Sequence, residues 1–196
     1  MGQLHDPGFE PDDLTVRISE LLVATADSGD ALINSSVQEV LQLLRERLKM
    51  DVVFVSEFVN GQRVFRQIDS RLGRKGPKVG DSDPLEETFC QAVVDGRMPG
   101  MVPDVEMLRT QIELPPTGKG IGAFLSTPIV MKDGSVYGTL CCFSMSPNPS
   151  LKERDLQNLK FSAKLTAQKI EEQNARRSDP PPDQWALEPI KPVKPL

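Results

Sequence analysis

Residues 122–145 read GAFLSTPIVMKDGSVYGTLCCFSM, and their pattern is the first indication of the fold class. It contains two runs rich in β-branched, aromatic and other apolar residues, 122–131 and 136–145. Between them lies the dipeptide Asp133-Gly134, which favours a tight turn because glycine adopts the left-handed backbone conformation without steric cost. Two strand-forming runs joined by such a turn predict an antiparallel β-hairpin.

A second hairpin is predicted earlier in the chain. The run 51–59, DVVFVSEFV, is rich in β-branched and aromatic residues, and Asn60-Gly61 follows it directly. Asn-Gly is a strong signal for a two-residue hairpin turn, and residues 63–68 supply the returning strand. Residues 52–55 are all apolar, which indicates burial on both faces. The alternation therefore does not say which of these side chains face a cavity.

Helical patterns lie on both sides of the hairpins. Apolar residues recur at three- to four-residue spacing over 14–26 and 35–49, and a short helix is predicted over 85–95. Ser150-Leu-Lys-Glu153 is a capping box that begins a long helix running to about Arg177. The order helix–helix–strand–strand–helix–strand–strand–helix predicts an α+β fold, with one central antiparallel sheet and the terminal helices packed together on one face.

The segments between these elements are less regular. Residues 70–84 are rich in glycine and charged side chains and predict a long polar loop, with Ser82 or Asp83 as the cap of the following helix. Residues 100–104 predict a short extended piece, and residues 105–120 predict an irregular stretch. The basic residues of the polar loop fit either an anion-binding loop or a solvated one.

Composition divides the chain of 196 residues into three parts. Hydrophobic residues make up 38% of the chain and its 14 glycines add about 7%, and the sum of roughly 45% is ordinary for a soluble globular protein. Proline, glycine and acidic residues in 1–12 predict a flexible N-terminal arm. The prolines of 178–196 predict an extended tail, because proline-rich chains favour polyproline II. Residues 13–177 are therefore predicted to form one folded domain.

Charge and residue counts argue against several classes of function. The net charge of −5 disfavours a nucleic-acid partner, because phosphate contacts need clustered lysine and arginine. No run approaches the roughly 18 apolar residues of a membrane-spanning helix, so no membrane partner is expected. The single histidine, His5, excludes a histidine-based triad and a multi-histidine metal site. Three cysteines without a CxxC pair predict a reducing, cytoplasmic location.

Four motifs, in this order, carry a resemblance to a known family. They are Leu85-Glu-Glu-Thr-Phe-Cys90, Val102-Pro-Asp104, Ser126-Thr-Pro-Ile129 and Gly134-Ser-Val-Tyr-Gly-Thr-Leu-Cys-Cys-Phe143. Together they resemble the GAF domain, a small-molecule-binding sensory module of bacterial signalling proteins, over roughly residues 14–175. The resemblance implies a GAF-like sheet of about five or six strands with a ligand cavity on one face. It also implies helices on the opposite face, which commonly mediate dimerisation.

The cysteines allow more than one interpretation. Cys90 fits redox sensing or attachment of a chromophore, and it also fits a small buried hydrophobe, as free cysteine usually is. In bilin-binding GAF domains a histidine usually follows the attachment cysteine, whereas Gln91 follows here, which argues against a tetrapyrrole. Cys141 and Cys142 are neighbours on one strand, so their side chains are predicted to point to opposite faces.

The resemblance also raises an enzymatic alternative. Some GAF proteins reduce free methionine sulfoxide with nucleophilic and resolving cysteines on loops around the pocket, together with acidic groups that hold the substrate. Here residues 105–120 contain no cysteine, and residues 139–144 read TLCCFS, without the carboxylates. We therefore expect no enzymatic activity, no catalytic residues and no metal site. A Cys90-dependent reductase is the alternative.

The expected ligand site lies on the strands and on the short helix after the polar loop. Polar side chains in a pocket need a ligand, water or backbone partner, which makes Ser56, Gln67, Ser126 and Thr139 informative. In GAF domains an aspartate at the position of Asp104 often orders the following segment through backbone amides. The predicted ligand-binding residues are Ser56, Phe58, Phe65, Gln67, Phe89, Cys90, Asp104, Ser126, Pro128, Thr139 and Cys141.

The last helix carries a regular apolar row with heptad-like spacing, which fits either a dimer seam or packing on the chain's own sheet. The residues of the row are Leu156, Leu159, Ala163, Thr166 and Ile170. The sequence thus predicts a non-catalytic, ligand-binding regulatory domain that forms a homodimer and acts on a downstream signalling protein. Besides the reductase, the alternative is a dimerisation module with an empty cavity. The sequence identifies neither the ligand nor a cofactor.

Overall fold

The computed structural model describes the backbone of residues 30–178 and the side chains of residues 37–175. The arm 1–12, the helix predicted over 14–26 and the tail beyond residue 178 lie outside the described residues. In chain order the helices and strands are α1 (Asp30–Leu48), β1 (Val52–Val59), β2 (Gln62–Ser70), β3 (Ser82–Pro84), α2 (Phe89–Val94), β4 (Met101–Val102), α3 (Val105–Arg109), β5 (Ala123–Val130), β6 (Val136–Ser144) and α4 (Glu153–Ser178).

Six strands form one antiparallel sheet in the order β3-β2-β1-β6-β5-β4. The two predicted hairpins, β1–β2 and β5–β6, are confirmed, and they join where β1 pairs with β6. Their turns use the predicted residues, since Asn60, Gly61 and Gly134 have φ angles of 51°, 71° and 83°. The hairpins approach closely at Gly138, where a Cβ atom would lie 2.0 Å from the backbone oxygen of Ser56.

Helices α1 and α4 cover one face of this sheet, as predicted for the second and last helices. The apolar stripe of α1 buries Val40, Leu41 and Leu44, and α4 buries Leu159 and Ala163 in the same cluster. The strands contribute Val53, Val55, Leu125, Leu140 and Cys142 to this cluster. Among the described residues, no helix is long and apolar enough to cross a bilayer.

Alternate side chains of the same strands form a second apolar cluster on the opposite face. Helix α2 supplies Phe89 and Cys90, and the chain after it supplies Met98, Val102 and Val105. The sheet contributes Val52, Phe54, Phe65, Phe124 and Cys141. Cys141 and Cys142 therefore point to opposite faces, as predicted, and the core of the fold consists of two layers with the sheet between them.

Local details around α2 and α3 correct the sequence-based expectations. Thr88 caps α2 by accepting a hydrogen bond from the N–H of Gln91 at 3.2 Å. The predicted caps, Ser82 and Asp83, instead belong to β3 and pair with β2, because the polar loop folds back along the sheet edge. Residues 105–120 were predicted to be irregular, but the beginning of this stretch, Val105–Arg109, forms the helix α3.

The start of α4 also differs from the predicted capping box. The N–H of Lys152 donates to the carboxylate of Asp155 at 2.8 Å, so the cap lies two residues later than Ser150. The hydroxyl of Ser150 instead donates to the side-chain oxygen of Asn148 at 2.6 Å. Asn148 in turn donates to the carbonyl of Leu48 at 2.9 Å, which connects the start of α4 to the end of α1.

The apolar row of α4 packs within the chain at its centre. Leu159 and Ala163 have exposed fractions of 0% and 2%, and Thr166 donates its buried hydroxyl to the Ser162 carbonyl at 2.8 Å. Leu156 and Ile170, towards the two ends of the row, are half-buried against the same cluster. Packing on the chain's own sheet is therefore observed for the central residues. A dimer seam remains a prediction, and it would have to use side chains outside this buried centre.

Candidate functional site

A cavity of about 510 Å³ lies on the face of the sheet opposite α1 and α4. Its walls come from β1, β2, β3, β5, β6 and α2 and from the loops that follow β2 and precede β5. The apolar residues that line it are Phe54, Phe65, Leu72, Pro77, Phe89, Ile121, Phe124, Phe143 and Met145. The polar and charged residues that line it are Arg63, Lys75, Asp81, Asp83, Cys90, Thr117 and Lys119, with Gly118 between the last two.

Aromatic rings form much of the wall that the sheet contributes. The ring centroids of Phe54 and Phe65, on neighbouring strands, are 4.7 Å apart, and those of Phe54 and Phe143 are 6.3 Å apart. On the other side, Phe89 of α2 meets Phe124 of β5 edge to face at 5.3 Å. Tilted and edge-to-face ring pairs stabilise one another, so these rings present flat apolar surfaces in fixed positions.

Arg63 places a buried positive charge in this aromatic wall. Its guanidinium carbon lies 4.0 Å from the ring centroid of Phe65 and 5.5 Å from that of Phe54. It forms an ion pair with Asp83, the residue directly opposite it in the β2–β3 register. The Nε atom of Arg63 is buried and has no hydrogen-bond partner among the described residues. Cation–π contacts and the ion pair therefore hold this charge at the cavity.

A network of thiols and hydroxyls extends from the cavity into the sheet. The Sγ atoms of Cys90 and Cys141 are 3.4 Å apart. Cys141 Sγ lies 3.0 Å from Ser126 Oγ and donates to Thr139 Oγ1 at 3.1 Å. Thr139 Oγ1 lies 2.9 Å from Ser56 Oγ. Side chains from α2, β1, β5 and β6 thus satisfy one another in a buried row that ends at the cavity with Cys90.

The three thiols differ in their electrostatic environment. Burial raises the pKa of Cys90, but the neighbouring Cys141 thiol, the Arg63 charge and the Thr139 hydroxyl outweigh it and lower that pKa to about 6. Burial and the adjacent Cys90 raise the pKa of Cys141 well above its ordinary value. Burial, with a smaller effect from a nearby carboxylate, also raises the pKa of Cys142. Cys90 is therefore the thiol that most readily forms a thiolate, the nucleophilic form.

Three of the predicted ligand-binding residues line the cavity: Phe65, Phe89 and Cys90. Four others belong to the buried network that ends at Cys90: Ser56, Ser126, Thr139 and Cys141. The network residues bond to one another, so their polar groups need no ligand to be satisfied.

The remaining predicted residues lie away from the cavity wall. Phe58 is partly buried against the apolar cluster on the cavity side of the sheet. Pro128 is a half-buried residue of β5 that pairs with Thr139. Asp104 accepts a hydrogen bond from the N–H of Met107 at 3.2 Å and thereby caps α3. That is the ordering role expected for an aspartate at this position.

Gln67 lies on the other face of the sheet, which corrects its expected position at the cavity. A bulge follows the Val55–Gln67 pair, so that Ser56 pairs with Phe65 and Arg66 is the extra residue. In a regular strand, residues two positions apart point to the same face. The bulge inserts one residue between Phe65 and Gln67, so these two side chains point to opposite faces. Gln67 instead lines a polar depression beside α1 and α4, together with Val55.

Several lining residues were not expected from the sequence. Arg63 and Asp83 meet through strand pairing, and Lys75 and Lys119 come from loops that were predicted without assigned contacts. The face of the sheet to which Phe54 points could not be predicted, because residues 52–55 are all apolar. The one sequence feature that indicated a lining residue among these was the basic loop, since its Lys75 lines the cavity. Within the described part of the chain, no cluster of three or more histidine, cysteine or acidic side chains has the form of a metal site.

Comparison with known proteins agrees with this architecture. Residues 33–171 match the family model of the GAF domain. A stretch of 54 residues, 28% of this chain, is 50% identical to diguanylate cyclase DgcP of Escherichia coli (strain K12). That stretch spans 16% of the length of the diguanylate cyclase.

Solved structures share the fold at low sequence identity. The phycocyanobilin-bound GAF domain from a cyanobacterial phytochrome has a TM-score of 0.66 and 12% identity, covering 87% of this chain and 100% of that domain. Free methionine-R-sulfoxide reductase from Neisseria meningitidis, in complex with its substrate, has a TM-score of 0.61 and 17% identity. That comparison covers 90% of this chain and 99% of the reductase. Because the family model matches more than half of the chain and the sheet and its layers agree, the chain belongs to the GAF domain family.

Proposed function

We propose that this GAF domain is a non-catalytic regulatory domain of bacterial signal transduction that binds a small molecule in its cavity. The observation that carries the proposal is the cavity of about 510 Å³ on the sheet face that α1 and α4 leave uncovered. Small-ligand sites usually occupy about 300–1,000 Å³ and combine apolar walls with a few placed polar groups. The ring pairs of the wall and the buried Arg63 give this cavity both features.

The lining residues favour a ligand with a flat apolar body and one acidic or hydrogen-bond-accepting group. Phenylalanine rings supply the apolar surface, which a planar ligand covers well. Three cationic side chains, Arg63, Lys75 and Lys119, line the cavity with two carboxylates, Asp81 and Asp83. With the thiolate that Cys90 forms above a pKa of about 6, the charges of the lining balance as a whole, so an acceptor group is favoured beside Lys75 and Lys119 of the loops.

A physical path connects the cavity with α4. Phe124 and Leu125 are neighbours on β5, and they face the cavity and the helix layer respectively. Helix α4 packs on β5, and Leu125 shares a cluster with Leu159 of that helix. A ligand that binds one packing of Phe124 better than another shifts the population of packings, and with it the seating of α4. Through α4 this change would reach the downstream partner.

Native mass spectrometry of the freshly purified full chain tests the proposal. The wild type is expected to retain a small molecule, and Thr117→Trp is expected to lose it because the indole occupies the mouth of the cavity. Thr110→Trp is the matched control, because both threonines are exposed and each donates to a backbone carbonyl. Thr117 donates to that of Glu87 at 2.6 Å, and Thr110 donates to that of Met107 at 2.7 Å. Only Thr117 lines the cavity.

The dye 1-anilinonaphthalene-8-sulfonate, an aromatic anion, probes the same cavity when the cellular molecule is lost in purification. Its fluorescence is expected to rise with the wild type and with Thr110→Trp, and to rise much less with Thr117→Trp. Equal behaviour of the two tryptophan variants in both measurements would contradict ligand binding in this cavity.

The reductase alternative has one observation in its favour, since Cys90 lines the cavity and has a lowered pKa. We expect no turnover of free methionine sulfoxide with dithiothreitol as reductant. Turnover that disappears in Cys90→Ser would replace the regulatory proposal with an enzymatic one. A cytoplasmic homodimer is part of our proposal, and light scattering of Ile170→Glu tests the dimer.

A further inference from the structure

Cys90 and Cys141 are 51 positions apart in sequence but adjacent in the fold. Cys90 belongs to α2 and lines the cavity, whereas Cys141 is buried in β6 directly behind it. Both are free thiols, and their sulfur atoms are 3.4 Å apart. A disulfide bond is about 2.0 Å long, so bond formation requires the sulfur atoms to approach by about 1.4 Å.

The surroundings give the two thiols different roles. The Nη1 atom of Arg63 donates towards Cys90 Sγ at 3.9 Å, which stabilises negative charge on that sulfur. Cys141 donates to Thr139 Oγ1 at 3.1 Å and thus keeps its proton. One sulfur is activated beside an open cavity, and the other is a protonated thiol within reach of it.

We propose that the Cys90–Cys141 pair is an oxidation site: a hydroperoxide that enters the cavity converts the pair into a disulfide that joins α2 to β6. The Cys90 thiolate attacks the terminal peroxide oxygen, the O–O bond breaks, and the alkoxide leaves. It takes up from solvent the proton that Cys90 released on ionising and becomes the alcohol, or water where the oxidant is hydrogen peroxide. The product is a sulfenic acid on Cys90.

Cys141 completes the reaction. Its sulfur attacks the Cys90 sulfur, the S–O bond breaks, and the departing hydroxide takes the Cys141 proton and leaves as water. Two thiols and one hydroperoxide thus give one disulfide, one alcohol and one water. The two electrons lost by the sulfurs reduce the peroxide bond, and a dithiol reductant restores the starting state.

The chain contains its own control for this chemistry. Cys142 is the neighbour of Cys141 and is as deeply buried, but its side chain lies in the helix-layer cluster on the other face of the sheet. No thiol of the described residues lies near it on that face, because Cys90 and Cys141 both belong to the cavity side. An oxidation that depends on position must therefore leave Cys142 as a thiol.

The experiment uses the reduced full chain without added ligand, so that its result is independent of the proposed ligand binding. Hydrogen peroxide is added, remaining thiols are blocked with N-ethylmaleimide in denaturant, and intact mass and peptide mapping follow. The wild type is expected to lose two of its three thiols and to yield a Cys90–Cys141 peptide pair that dithiothreitol separates. Cys142→Ser is expected to form the same linkage at the same rate.

Variants of the pair separate the two steps. Cys141→Ser is expected to stop at the sulfenic acid, which dimedone labels on Cys90, and Cys90→Ser is expected to keep both remaining thiols. Cys90→Ala and Cys141→Ala repeat the test without a new hydroxyl, and circular dichroism before oxidation verifies that each variant is folded. Three free thiols in the oxidised wild type, a linkage through Cys142, or thiol loss at the wild-type rate in folded Cys90→Ser would each overturn the proposal.

Discussion

Leu159→Ala tests whether the apolar row of α4 is the core of a single chain. Leu159 is completely buried and shares a cluster with Leu125, Leu140 and Ala163. The substitution removes three carbon atoms, and a transfer free energy of about 0.8 kcal/mol each gives about 2.4 kcal/mol. The cavity left behind adds to this value, because the surrounding helix and sheet relax only in part. We therefore expect a loss of about 3–4 kcal/mol in the free energy of unfolding.

Urea denaturation, followed by circular dichroism at two protein concentrations, measures this loss. An intrachain core predicts the same difference at both concentrations, since no association is broken. In thermal melts the same loss corresponds to a decrease of about 6–16 °C in Tm for a chain of this size. Lys164→Ala, at an exposed position of the same helix, is the control and is expected to change stability by less than about 0.5 kcal/mol.

If Leu159→Ala lowers the free energy of unfolding by less than about 1 kcal/mol, the packing argument is refuted, because truncating a fully buried leucine in a rigid core costs more than that. A large loss that appears only at low protein concentration would refute it in a different way. In that case the side chain would be buried between two chains rather than within one.

Cys90, Gly138 and Ile170 are the positions of three further predictions. The pKa of Cys90 is lowered in the folded chain from 9.0 to about 6, so the stability its thiolate contributes is complete above pH 9 and lost as the pH falls through 6. In urea titrations the advantage of the wild type over Cys90→Ser should grow from pH 6 to pH 9, and a constant difference would contradict this. Gly138→Ala should lower the free energy of unfolding by about 1–3 kcal/mol in the same assay, because its Cβ would collide with the backbone of Ser56. A variant as stable as the wild type would argue against so close a contact between the strands. Ile170→Glu should convert the proposed homodimer into a folded monomer in light scattering while Lys164→Glu should not, and a wild-type monomer at high micromolar concentration would end the dimer proposal.

Local sequence patterns predicted both hairpins, the helices α1, α2 and α4 and their order along the chain, but neither β3 nor α3. Asn60-Gly61 and Asp133-Gly134 specify the hairpins, because only residues that tolerate positive φ allow such tight turns. The apolar periodicity of α1 and α4 specifies which faces are buried. These signals act between residues that are close in sequence, so they are visible without the fold. The series of GAF-like motifs, on the expected elements, then indicates how the elements combine.

Tertiary structure decided how the site is assembled, because its contacts depend on strand register rather than on local preference. One bulge moves Gln67 to the face of the sheet that α1 and α4 cover, and no residue in β1 or β2 predicts that bulge. The unbroken apolar run around Phe54 leaves its direction open until β1 is placed between β2 and β6. The contact between the Cys90 and Cys141 sulfurs joins a helix and a strand that are far apart in the chain. Sequence spacing determines which side chains share an element, but only packing brings a thiol from one element within reach of a thiol from another.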